Sequence, residues 1–135
     1  MISEDYVSIE AARLLKEKGF NSPCYMSYHE TNNGFEIGHD AGHTNDMFDK
    51  FFKDDGVMQY SAPTLQTAMK WIRNVHNIHI IVRPYTDTEG HKFNFLFDKF
   101  AYGCWQELGI YIMDYWGTYE ECADKAIIYA LKNLI

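Results

Sequence analysis

The sequence predicts an α+β fold: a mainly antiparallel sheet built from hairpins with helices packed on it, in the order α-β-β-(α)-α-β-β-β-α. Three observations carry this. Apolar residues recur with helical spacing in three stretches. Several short runs alternate apolar and polar residues, as half-buried strands do. These runs come in pairs joined by turn sequences, which makes neighbouring strands antiparallel. The chain has 135 residues, which suits one domain spanning 1–135, since globular domains most often run roughly 100–150 residues.

The first helix is expected at 8–18. Val7, Ala11, Leu14 and Leu15 form one stripe, Ser8 or Ser3 caps the start, and Gly19 follows the last turn. Pro23 forbids its continuation. Cys24–Glu30 reads as a strand, Thr31-Asn32-Asn33-Gly34 as a hairpin turn, and Phe35–Ile37 as the returning strand. Between 38 and 62 only Met47, Phe48, Phe51 and Phe52 have helical spacing, which places a short helix at 45–54 in a loop that includes a turn at Asp54-Asp55-Gly56.

Pro63 opens the second main helix, whose stripe is Leu65, Ala68, Met69, Ile72 and Val75 and which ends near His76-Asn77. Ile78–Arg83 is a strand rich in β-branched residues. Pro84 and Asp87-Thr88-Glu89-Gly90 supply a turn, and Lys92–Phe97 returns with Phe93, Phe95 and Phe97 on one face. Phe100–Trp105 extends that strand or forms a bulge at Gly103, and Gly109–Tyr115 is a third strand. Thr118-Tyr119-Glu120-Glu121 is a capping box that opens the last helix, with Cys122, Ala126, Tyr129, Ala130 and Leu134 on one face.

Composition excludes more functions than it names. The chain holds 12 Lys+Arg against 19 Asp+Glu, a formal net charge of −7. That balance argues against nucleic-acid binding by direct phosphate contact and against a polybasic membrane-surface role. The longest wholly apolar stretch is Ala126–Leu131, far short of the roughly 20 residues a membrane span needs. The acidic start Met1-Ile2-Ser3-Glu4-Asp5 has no secretory pattern. Cys24, Cys104 and Cys122 are odd in number and widely spaced, as reduced thiols are, although a Cys24–Cys104 or Cys104–Cys122 bridge stays open. A cytoplasmic protein is expected.

Residues 63–135 have the α-β-β-β-α order of the double-stranded-RNA-binding domain. Gly117-Thr118-Tyr119-Glu120-Glu121-Cys122, followed by Ala126, Ala130 and Leu131, resembles that family's Gly-Ser-Lys-Lys-Glu-Ala helix start and its spaced alanines. Tyr119 and Glu120 stand where that family presents lysines to RNA phosphates, so the resemblance is one of topology without its binding residues. A second resemblance covers the whole chain. Its blocks are Tyr6-Val7-Ser8 with Leu14-Leu15-Lys16-Glu17-Lys18-Gly19-Phe20, Ala62-Pro63-Thr64 with Ala68-Met69-Lys70-Trp71 and Val75–Ile80, and Thr118–Glu121 with Asn133-Leu134-Ile135. They are similar to an uncharacterised family of small proteins from gut anaerobic bacteria and their phages. That resemblance implies a phage or mobile-element accessory role and supplies no catalytic residue.

His39 and His43 are four apart with Asp40 and Asp46 nearby, a spacing that serves a metal on a helix; Gly38 and Gly42 make a loop the plainer reading. His76 and His79 flank a helix–strand junction, where a histidine suits the helix dipole. Gly103-Cys104-Trp105 resembles the Cys-Trp pair of papain-like proteases, but those place their His after the Cys, and every His here precedes Cys104. Trp105, Tyr111, Tyr115, Trp116 and Tyr119 cluster near the last helix start, and Tyr and Trp anchor protein interfaces.

The reading is therefore a non-enzymatic protein-interaction domain, with a protein partner or a homo-oligomer, no cofactor, no catalytic residue and no membrane. One alternative is a small hydrolase or metal-dependent enzyme using His39/His43, or Cys104 with His76, His79 or His91. Another is an acidic decoy of a nucleic-acid-binding enzyme.

Overall fold

The structure, a computed structural model, describes residues 5–52, 56–88, 90–110 and 114–135. Asp54 and Asp55 of the turn expected before Gly56, and Tyr111, lie outside the described residues. The chain forms two compact units, Met1–Thr64 and Leu65–Ile135. The α+β class is as expected, but among the described residues the strands form two three-stranded antiparallel sheets rather than one, with orders β2-β1-β3 and β4-β5-β6.

In the first unit, α1 is Ile9–Glu17, β1 Met26–Thr31, β2 Gly34–His39, α2 Asn45–Met47 and β3 Gln59–Ser61. The Ser8 hydroxyl accepts from the Ala11 N–H at 3.3 Å, so Ser8 is the cap of α1. Gly19 follows the helix at φ +95°, a conformation that side chains resist. The hairpin forms as expected, with Thr31 opposite Gly34. The helix expected at 45–54 is α-helical for three residues only and then widens into a π-helix at Phe48–Phe52. β3 lies where a loop was expected; three residues are too few for alternation to show in a sequence. Pairing with β1 buries Tyr60 and Ser61. Val7, Ala11, Ala12, Leu15, Phe20, Cys24, Phe48 and Ala62 are buried with them in the core of this unit. Asn45, itself buried, donates to the Phe20 carbonyl (2.8 Å) and accepts from the Ser61 N–H (2.9 Å), tying the end of α1 to β3.

In the second unit, α3 is Leu65–His76, β4 Ile78–Asp87, β5 Gly90–Ala101, β6 Cys104–Glu107 and α4 Tyr119–Asn133. The Thr118 hydroxyl accepts from the Glu121 N–H at 3.1 Å, as a capping box requires. Leu65, Ala68, Met69 and Ile72 are buried, while Val75 is 55 % exposed and stands off the stripe assigned to it. Ile78, Ile80, Phe95 and Phe97 turn one face of the sheet toward the helices, and Phe97 stacks on Tyr129 of α4 at 5.6 Å.

Two boundaries differ from expectation. The strand does not stop at Pro84; it continues to Asp87, with Pro84 opposite Phe93. Phe93 directs both its N–H and its carbonyl to Trp116, so the Pro84–Phe93 pair exchanges no hydrogen bonds, and Pro84 loses no ladder donor. Cys104–Glu107 is the third strand of this sheet; of the strand expected at 109–115, residues 109, 110, 114 and 115 are not in a strand, and 111–113 lie outside the described residues. Tyr102 (φ +53°) and Gly103 (φ +81°) close a two-residue turn between Ala101 and Cys104, where a continued strand or a bulge at Gly103 was expected. Positive φ at both central residues matches the twist of the flanking strands.

Candidate functional site

The first site suggested by the sequence lies around His43. Asp40 follows β2, and its N–H donates to the Tyr25 carbonyl at 2.8 Å. Its carboxylate is forked onto His43: Oδ2 accepts the His43 main-chain N–H (2.7 Å) and Oδ1 lies 2.9 Å from Nδ1 of the ring. The ring then lies against Phe48 and Phe52, at 5.9 and 5.3 Å between centroids. Gly42, at φ +90°, permits this tight loop. The pair orients an imidazole, but His39 points elsewhere in function: it is exposed on the last residue of β2, opposite Met26. Among the described residues no group of three His, Cys, Asp or Glu side chains is placed to hold a metal.

Cys24 belongs to the same neighbourhood, which sequence spacing did not reveal. Its N–H donates to the His43 carbonyl at 3.3 Å. Burial, and then the nearby Asp40 charge, push its thiol up to about 11. A thiol held protonated in this way is a poor nucleophile. Cys122 is raised further, to about 12, by burial and then by Glu121. All three cysteines are free thiols.

Cys104 is exposed on β6, with its sulfur near the Ala101 carbonyl (3.8 Å) and the Gln106 amide (3.8 Å). The histidines considered as its base make other contacts. His76 lies edge-on to Trp71 at 4.9 Å, His79 edge-on to Trp105 at 5.7 Å, and His91 contacts the Thr86 hydroxyl at 3.2 Å.

The chain matches no protein-family model, no curated protein and no solved structure. The reading of its surface therefore rests on its own side chains.

The aromatic candidates divide into three groups. Trp116 stacks on Phe95 (5.2 Å, 22°), and Tyr119 meets Phe93 edge-on at 6.3 Å while its hydroxyl accepts from Gln66 at 3.3 Å. Both are half-buried. Tyr115 projects from the same extended stretch as Trp116 and stacks on Tyr85 (5.0 Å, 28°), with the Lys92 ammonium 6.0 Å from its ring.

Trp105 belongs to a third group on the sheet face away from Ile80, Phe95 and Phe97. It lies directly opposite Phe100, ring centroids 5.4 Å apart, and His79 stands against its other side. Trp105 and Phe100 are 43 % and 42 % exposed. An open hollow of about 470 Å³ lies beside them, bounded also by Arg73, Asn74 and Asn77. At the tip of the same hairpin, Tyr102 is 98 % exposed. Phe100, Tyr102 and His79 were not among the expected interface residues. Gly103 alone hinted at them: a two-residue turn ending there puts Phe100 and Trp105 side by side, but Tyr102 before it is not a turn residue.

Proposed function

We propose that the protein is a non-enzymatic interaction domain that binds another protein through the Phe100–Trp105 hairpin. The observation that carries this is Tyr102. A left-handed backbone costs an L-residue roughly 1–2 kcal/mol, and Asn or Gly fits there better. Tyr102 occupies that conformation almost fully exposed, so no packing offsets the strain. Residues kept at such a cost cluster at binding surfaces, and here two further exposed rings flank the turn.

The partner we infer is a protein with an apolar cleft and a basic surround. The net charge of −7 opposes close approach of a second copy and favours a cationic partner. Free thiols, two of them buried, fit a reducing compartment, and the described residues contain no helix long and apolar enough to cross a membrane. The reduced thiols favour the cytoplasm, and the phage or mobile-element accessory role is proposed from the sequence resemblance alone.

The test is to isolate proteins retained by the wild type but not by a Phe100→Ala/Trp105→Ala variant. Each is then purified and its affinity remeasured. Binding to a basic protein that weakens at least tenfold in the variant and falls with rising salt supports the assignment. A variant that retains every partner of the wild type refutes it.

A further inference from the structure

Away from that hairpin, a groove of about 250 Å³ runs between α4 and the stretch before it. Its lining has two chemistries. Phe95, Trp116, Ile128 and Tyr129 form an apolar floor, and Lys125 and Lys132 stand on the rim. Positions 125, 128, 129 and 132 recur at i, i+3, i+4 and i+7, so one stripe of α4 faces the groove. Phe95 and Trp116 are nearly parallel, and Tyr129 is tilted by 52° to Phe95 at 6.0 Å, so the floor is one cluster of packed rings.

The rim inverts the charge of the chain. Acids outnumber bases by 19 to 12 overall, yet the groove has two lysines and one carboxylate, Asp114. Lys125 is exposed and in no ion pair among the described residues. An apolar cavity of ~150 Å³ holds a benzene ring, so this groove accommodates one ring with a short acidic tail. It is smaller than the roughly 300–1,000 Å³ of sites for drug-sized ligands.

We propose that the groove binds a small aromatic carboxylate, its ring against Trp116 and Tyr129 and its carboxylate at Lys125. The inference is independent of the hairpin surface. Phenylacetate is the probe, with 2-phenylethylamine and benzyl alcohol as cationic and neutral counterparts of similar shape, titrated by ligand-observed NMR. Phenylacetate should bind saturably and about tenfold more tightly than either counterpart. Lys125→Glu, at an exposed position, should reverse the order of acid and amine with an unchanged circular dichroism spectrum. The proposal is overturned if phenylacetate does not saturate, if the amine binds as well as the acid to the wild type, or if Lys125→Glu leaves the order intact.

Discussion

Three thiols in this chain sit in three different environments, and each environment dictates a chemistry. Cys104 is open to solvent, whereas Cys24 and Cys122 are buried and hold their protons to about 11 and about 12. An unfolded thiol titrates near 9.0. Above that pH the unfolded chain releases protons that the folded chain keeps, and the balance tips toward unfolding. The stabilising contribution of these two thiols is therefore complete below pH 9 and lost as pH rises through about 11 and 12. Denaturant titrations of wild type and Cys122→Ala across pH 8–11 will show it: the variant's stability should fall less steeply above pH 9. Parallel slopes for the two proteins would exclude the effect. Asp40 acts on the same scale. One carboxylate closes the 40–43 loop on His43 and opposes ionisation of Cys24.

Helix positions were legible in the sequence wherever a cap and a stripe agreed. Ser8 with Gly19 bounded α1, and Thr118 with Glu121 opened α4, because capping satisfies main-chain donors that nothing else nearby can reach. Strands were legible where a turn residue was diagnostic, as at Asn33-Gly34. They were not legible at β3, too short to show a period, nor at the β5–β6 turn. A tyrosine there carries no turn signal although its backbone is left-handed. For the same reason the aromatic residues could be counted but not sorted: whether Trp116 or Trp105 is buried depends on the strand register. The β5–β6 hairpin yields a prediction with two readouts. Tyr102→Asn should raise stability by roughly 1 kcal/mol, since Asn tolerates the left-handed conformation, and should weaken partner binding. Calorimetric melting and the affinity of the isolated partner check the two halves. A variant with lower stability or with undiminished binding would remove the argument from strain.

At the scale of the molecule, each compact unit holds only about half of the chain. Domains near 60 residues bury a smaller fraction of their surface and are correspondingly marginal. We therefore expect one cooperative transition for 135 residues. The sequence offers a convenient test, because Trp71, Trp105 and Trp116 all fall in the second unit. Tryptophan fluorescence reports on Leu65–Ile135, while far-ultraviolet circular dichroism reports on the helices of both units. Coincident denaturant midpoints are the expected result; separate midpoints would mark two independently folding domains.

Pro84 bears on what happens when many copies meet. β4 borders its sheet, and a ten-residue border strand with every amide available is a template on which another chain can add. Because the amides that Phe93 uses point to Trp116, the position opposite it presents its nitrogen outward, and at that position the nitrogen carries no hydrogen. The row of outward donors is broken at the fourth of its five positions, leaving only Thr86 beyond. β6, the other border, is only four residues long. A proline that first read as the end of a strand thus works as a gatekeeper, allowing β4 its full length without exposing a continuous seed for fibril growth.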